Sequence, residues 1–430
     1  MRNIWGYSAA AALLAGALSC DTKVTNPGPV QDAFLNERTA AAAMVNGAGR
    51  ALSSGLNWIS YTGAAVAREI HPAGSTGSFG ITTRWQKGEL NADDGDLDTH
   101  WEQAQRARWL AEETLRRLEA AGPPPAGSPA ASITSYNNQL QLAFVYAGYA
   151  NRLLGENMCE CVIDGSGALP NATFFTRAES LFTKAIAVTG GTAATIASQA
   201  QAARAGRAGV RVFLNKWSEA VADAGTVPIA FVFNMAYFNL GEDAQRNRIA
   251  YAAFNTPYRA HTQWNTWYLD YKNATSDPRV PITMTTLQGD AAIECCGRVP
   301  FYPEAKHSKS ESPIRLASGR EMRLIEAEAL LRNNDMAGAM TAINLVRTNA
   351  GTSTVTATDI TDAWRLLKRE RGIELWLEAR RLGDLRRWKA ANTPGALDPL
   401  ESVGATSHLS QQDLCFPISR SERQTNPNLQ

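Results

Sequence analysis

Three segments of this 430-residue chain repeat one spacing: a large apolar residue, alanine three later, an apolar residue four after that and another three beyond. They are Phe175, Ala178, Phe182, Ala185; Trp217, Ala220, Ala224, Val227; and Met336, Ala339, Ile343, Val346. On an α-helix this spacing puts all four residues on one face, and the alanines let a second helix approach closely. The second helix of a tetratricopeptide-type pair has this requirement. A partner helix precedes the third copy, where Leu324, Ala327, Glu328 and Leu331 fall at i, i+3, i+4 and i+7. Asp335 is placed to cap the helix that follows, and residues 205–214 can act as partner to the second copy. Further helices are predicted over 36–53, 99–121, 136–154 and, densely charged, 366–388, with Gly122-Pro-Pro-Pro as a break. The expected fold is mostly α: a tetratricopeptide-like superhelix spanning about 100–227 and 320–390.

The copies are unevenly spaced. Phe175 and Trp217 lie 42 residues apart, but Trp217 and Met336 lie 119 apart, so an insertion runs from about 228 to 320. It holds 13 of the chain's 35 aromatic residues and little helical periodicity, which marks it as something other than more frame. A second irregular stretch, about 57–98, carries Trp58, Tyr61 and Trp85. Binding residues concentrate in loops held by a rigid frame, and flat rings can stack on the apolar C–H faces of sugars. The candidate ligand-binding residues are therefore Trp58, Tyr61, Trp85, Trp264, Trp267 and Tyr268, with Arg84, Asn57 and Asn265 as polar partners. Each ring can equally be core, since large aromatics are usually well buried.

The chain's start reads as an export signal. Arg2 precedes an apolar stretch over 8–18, and small residues lead into Cys20, as in a bacterial lipobox. That stretch is too short to span a bilayer, which takes about 20 apolar residues. Residues 1–19 are thus expected to be a lipoprotein signal, Cys20 the lipidated residue, 20–35 a tether and 36–430 a single domain. A net charge of +1 sets up no field for nucleic acid or an anionic membrane surface. With Cys20 lipidated, five cysteines remain, an odd number. A disulfide between the Cys159/Cys161 pair and the Cys295/Cys296 pair is the plausible arrangement in an oxidising compartment. A four-thiolate zinc site is the rival, but these spacings are not those of zinc ribbons.

Nothing in the sequence requires catalysis. The five histidines show no HExxH spacing, and neither a Gly-x-Ser-x-Gly elbow nor a phosphate-binding loop occurs. Asp93-Asp-Gly-Asp-Leu-Asp suggests a calcium loop, yet counted from Asp94 position 6 is Thr99 and position 12 is Gln105, where an EF-hand needs glycine and glutamate. The charged series over 370–387 is expected to form i,i+3 pairs along one helix, Arg371 with Glu374, Glu378 with Arg381 and Asp384 with Arg387. No cofactor or metal is expected.

The most specific motifs stand in the last hundred residues: Arg323-Leu-Ile-Glu-Ala-Glu-Ala, Ala342-Ile-Asn-Leu-Val-Arg, Glu370-Arg-Gly-Ile-Glu-Leu, Arg381-Leu-Gly-Asp-Leu-Arg-Arg-Trp, and Pro417-Ile with Glu422 and Asn426-Pro-Asn-Leu. With Trp101, Gly155-Glu156 and Asp277-Pro-Arg279, they make the chain resemble the SusD/RagB family of outer-membrane nutrient-uptake lipoproteins. Ala379 departs from the family's usual glycine, and Ser419 from its proline. The resemblance implies a helical superhelix with an irregular ligand-binding portion and lipid attachment at the outer membrane, facing the cell exterior. It also implies pairing with a SusC-like, TonB-dependent transporter, to which a nutrient, commonly an oligosaccharide, is delivered without chemical change. Two alternatives are a helical-toroid carbohydrate-active enzyme and a repeat scaffold that binds only protein.

Overall fold

The computed structural model describes residues 32–240, 245–254, 258–291 and 297–430. Cys20, the signal and most of the tether lie outside these residues, as do Cys295 and Cys296. The described chain is mostly helical. The frame begins with α1 (Ala41–Val66), α2 (Thr83–Gln86), α3 (Asp96–Ala121), α4 (Ala130–Asn157), α5 (Ala172–Ala187), α6 (Ala193–Phe213) and α7 (Trp217–Gly225). After the insertion, which contains α8 (Trp267–Thr275), it resumes with α9 (Gly319–Arg332), α10 (Met336–Asn349), α11 (Ile360–Glu374), α12 (Arg381–Ala390) and α13 (Arg420–Thr425).

Neighbours in sequence pack as neighbours in space: α3 on α4, α4 on α5, α5 on α6, α6 on α7, then α9 on α10 and back against α7. The repeated spacing explains the contacts. Phe175, Ala178, Phe182 and Ala185 are all buried on α5, as are Ala220 and Ala224 on α7, and Ala339, Ile343 and Val346 on α10. Asp335 caps α10 as predicted, its carboxylate accepting from the Gly338 N–H at 2.8 Å. Ser318 and Asp359 do the same for α9 and α11.

The insertion leaves and returns at one place. Strand β4 (Val232–Met235) pairs antiparallel with β6 (Ile314–Ser318), so both ends of the excursion are stitched together. At the return point Gly319 lies so close to the preceding chain that a Cβ would meet the Pro228 carbonyl oxygen at 1.9 Å. A side chain has no room there. Three shorter elements matter for the site: β1 (His71–Pro72) pairs antiparallel with β5 (His261–Thr262), and β2 with β3 joins Glu160–Cys161 to Leu169–Pro170.

Three expectations need correction. First, α1 runs to Val66, well past the predicted end at 53, so Trp58 and Tyr61 sit on a helix. Its second half is buried almost all round, which erases the amphipathic signal that would have marked it. Second, the single charged helix over 366–388 is two helices at an angle, α11 and α12. Between them Leu377 and Ala379 take φ of 61° and 60°, a left-handed conformation that costs roughly 1–2 kcal/mol per residue. Tertiary charge pairing offsets that cost. Glu378 is held by Lys306 at 2.6 Å and Arg315 at 2.7 Å, and Arg380 by Glu156 and the Leu316 carbonyl. Of the predicted i,i+3 pairs only Asp384–Arg387 forms, at 2.8 Å, while Arg371 turns to Asp384 across the break. Third, Cys159 is bonded to Cys415, and Cys161 is a free, buried thiol.

The C-terminal motif is a dock. Phe416 exchanges main-chain hydrogen bonds with Asn157 (2.8 Å) and Cys159 (2.9 Å). The Trp101 indole donates to Glu422 at 3.2 Å, Asn426 donates to the Ser166 carbonyl at 2.9 Å, and Asn428 donates to that of Gly165 at 2.7 Å. The tail thus closes over α3 and the β2–β3 loop.

Candidate functional site

The β1–β5 pairing brings the two irregular stretches together, and three groups of aromatic rings lie where they meet. In the first, α1 supplies Trp58 and Tyr61, the stretch after β1 supplies Phe79, and the insertion supplies Arg248, Tyr251 and Tyr258. Asn57 fixes the junction: it donates to the Arg246 carbonyl and accepts from the Arg248 N–H, both at 2.7 Å. The Arg248 guanidinium then lies 3.4 Å from the Trp58 ring centre and donates to the Phe79 carbonyl at 2.6 Å. Phe79 meets Tyr251 and Tyr258 edge-on at 5.7 and 5.5 Å, and the two tyrosine hydroxyls are 3.1 Å apart.

This group is layered. Phe79 is buried, Trp58 and Tyr251 are half-buried, and Tyr258 keeps 38% of its surface exposed. The result is a packed wall of rings with the Arg248 cation laid on the Trp58 face, and its outer member Tyr258, with two phenol hydroxyls beside it, is where a flat apolar face could stack and hydroxyls could bond. Tyr61 backs the wall from inside. It is fully buried and hydrogen-bonded to His261 at 2.8 Å, and burial pushes its hydroxyl well above the ordinary tyrosine range. The same burial brings the His261 imidazole down to about 3 and that of His100 to about 3, leaving both neutral.

The second group is Trp264, His71 and His408. Trp264 is half-buried and edge-on to His71 at 5.0 Å. Asn265 beside it takes φ of 54°, and its carbonyl accepts from Arg68 at 2.9 Å. The third group is buried: Trp267 packs on Tyr268 at 4.0 Å and Tyr268 stacks on Trp376 at 5.1 Å, locking α8 to the frame. Glu69 is buried beneath it, accepting from the Leu377 N–H at 3.0 Å with the Tyr268 hydroxyl at 3.4 Å.

Glu69 has no arginine on its oxygens, and burial pushes its carboxyl up to about 7. A raised carboxyl stabilises the fold below its unfolded pKa, and that contribution is lost as pH rises toward the folded value. Glu69→Gln should therefore gain stability relative to the parent between pH 5 and 8, in thermal unfolding at matched salt. A difference that stays flat across that range would show that Glu69 does not titrate there.

The structure thus separates the sequence candidates. Trp58 and Trp264 are partly exposed where two loop regions meet, while Tyr61, Trp85, Trp267 and Tyr268 are core. Trp85 is wedged between His100 at 4.8 Å and Phe416 at 6.0 Å, with no face open to solvent. Arg84 is exposed on α2 and makes no ion pair or ring contact among the described residues. Sequence reasoning missed Phe79, Arg248, Tyr251 and Tyr258 as candidates. Only the aromatic density of the insertion hinted at them, because their meeting depends on long-range pairing.

Comparison with known proteins places this arrangement. The sequence pattern of the SusD family matches residues 304–430. Among solved structures, a SusD-like protein from Bacteroides fragilis superposes with a TM-score of 0.69 at 13% identity, covering 93% of this chain and 98% of that one. A SusD superfamily protein from Parabacteroides distasonis gives 0.66 at 13% identity, covering 91% and 98%. A SusD-like carbohydrate binding protein from Bacteroides vulgatus gives 0.61 at 15% identity, covering 91% and 97%. No curated protein sequence matches the chain. At these identities the structures speak to fold, and the C-terminal sequence speaks to ancestry. Residues 304–430 thus carry the sequence pattern of the SusD family, and the fold of the described chain is that of the SusD-like structures.

Proposed function

We propose that the protein binds a carbohydrate reversibly at the Trp58–Tyr251–Tyr258 wall and delivers it to a SusC-like, TonB-dependent transporter. On this reading it is held at the outer membrane, facing the exterior, by a lipid on Cys20. The observation that carries the binding reading is the exposed ring wall itself, built from both irregular stretches and stiffened by Arg248. A solved structure of the same fold is described as carbohydrate binding, which supports the ligand class. Among the described residues no helix is long and apolar enough to cross a membrane, which is compatible with attachment through lipid alone.

Catalysis is the weaker reading. Glu370, Glu374, Glu378 and Asp384 are buried and each is bound to at least one arginine. Carboxylates spent on ion pairs are poorly placed to give or take a proton at a sugar.

The test is a glycan screen on the protein lacking residues 1–20, followed by titration of any hit. Tyr258→Ala and Trp58→Ala should each weaken binding about tenfold or more, as for anchoring aromatics elsewhere. Tyr258 is exposed, so its variant keeps the fold intact. Unchanged affinity in both variants would remove the wall as the site, and release of shortened products would make the protein an enzyme.

A further inference from the structure

A separate cavity of about 190 Å³ lies between α8, α11, α12 and the stretch over 396–401. Its wall carries four cations, Arg365, Lys368, Arg369 and Arg381, against two carboxylates, Asp398 and Glu401. Arg381 is spent: it holds both Glu401 oxygens, one at 2.6 Å, and donates to the Lys368 carbonyl at 2.9 Å. Lys368 and Arg369 are not neutralised to the same degree. Lys368 is buried, and among the described residues its ammonium bonds to the carbonyls of Gly395 (2.8 Å) and Thr393 (3.1 Å) and lies 5.6 Å from the Trp388 ring centre, with no carboxylate beside it. Arg369 approaches Glu370 only to 3.8 Å, and that carboxylate already serves Arg279 and Arg347. Arg365 pairs with Asp362 at 2.6 Å on the open side.

Two donors of the wall also lack acceptors. Among the described residues the Trp267 indole N–H and the Arg369 Nε are both buried without a hydrogen-bond partner, Trp267 being only 4% exposed. Leaving such donors unpaired destabilises a fold, and burying uncompensated charge does so more strongly. Burial, and then the Arg381 charge, bring the Lys368 ammonium down to about 8, so the site itself resists holding its full positive charge. A fold carries such a cluster at a cost unless something arrives to relieve it.

We propose that this cavity binds one compact oxyanion — a carboxylate, sulfate or phosphate group — between Lys368, Arg369 and Arg365, with the unpaired Trp267 indole N–H as a further donor. Guanidinium groups suit the paired oxygens of such anions, and a buried ammonium regains its proton's full stability beside one. The anion is either a free inorganic ion or the acidic substituent of a sugar. This inference does not depend on the aromatic wall.

Isothermal titration with sodium phosphate, sodium sulfate and glucuronate, against sodium chloride at matched ionic strength, tests it on the protein lacking residues 1–20. Saturable binding in the millimolar range or tighter is expected. Lys368→Gln and Arg369→Gln should each weaken it about tenfold, with a smaller loss for the more exposed Arg365→Gln. Glucuronate alone binding would identify a sugar acid as the ligand; phosphate and sulfate binding as well would identify the free oxyanion. Heats indistinguishable from chloride, or affinities unchanged in all three variants, would overturn the proposal. Arg365→Gln keeps the test open should the buried variants fail to fold.

Discussion

Replacing Cys159 and Cys415 together by serine should cost about 5 kcal/mol of stability, because the bond closes a loop across 256 residues. The effect acts mainly on the unfolded chain. The native tail is already held by the Phe416 main-chain bonds and by Asn426 and Asn428, so the folded structure should change little. The link ties the end of α4 to the segment leading into α13, and without it the C-terminal tail is free to separate from the first four helices once unfolded. Equilibrium urea unfolding of the double serine variant, beside the parent with and without reductant, measures it. The serine variant and the reduced parent should agree. A midpoint unmoved by either change would show that the bond contributes nothing. The serine variant also removes any reshuffling onto Cys161, whose burial raises its thiol to about 11 and makes it a poor partner for exchange.

The second large effect is electrostatic. Glu374→Ala should destabilise by about 3–5 kcal/mol, the range for removing one partner of a buried pair. Glu374 is 1% exposed and binds Arg315 and Arg320, each at 2.9 Å, with Arg279 at 3.7 Å. Its removal takes from Arg320 its carboxylate partner among the described residues and takes one partner each from Arg315 and Arg279, which keep Glu378 and the Asp277–Glu370 pair. Glu374→Gln should cost nearly as much, since shape is kept and charge is lost. The contrast is Arg116→Ala, whose pair with Glu113 at 2.6 Å lies at the surface and should leave the unfolding midpoint nearly unchanged. Denaturant unfolding of the three variants decides the matter. A Glu374→Ala loss as small as that of Arg116→Ala would mean the network is not what holds α11 against the β4–β6 junction.

Both effects fall on motifs that could be read in the sequence without their partners being readable. Glu370, Arg371, Glu374, Glu378, Arg381, Asp384 and Arg387 stand at helical spacing, and spacing alone suggests local pairs on a solvated face. In the fold, Glu370 goes to Arg279 and Arg347, Glu374 to Arg315 and Arg320, and Glu378 to Lys306 and Arg315. The series is a hub that receives the ends of the insertion and the Asp277-Pro-Arg279 turn. Local periodicity cannot reveal this, because the partners lie tens of residues away and the helix breaks at Leu377 and Ala379 to reach them.

The aromatic candidates show the same limit. Trp58 and Trp264 emerge partly exposed, yet Trp85 and Tyr268, equally attractive on the page, fill the core. A ring's chemistry is identical in both settings. Which face it turns to water depends on β1 finding β5 and on α1 continuing past 53.

By itself the sequence determined the helical character of the chain, the repeated helical spacing, the Asp335 cap and the family motifs of the last hundred residues. These are encoded locally, in the 3.6-residue period and in single side chains bonding to adjacent backbone. Only the tertiary structure decided which cysteine Cys159 bonds, where the charged helix breaks, which rings reach solvent and that four cations crowd one small cavity. Each of those depends on residues distant in the chain meeting in a low-dielectric interior, where contact energies of several kcal/mol override local preference.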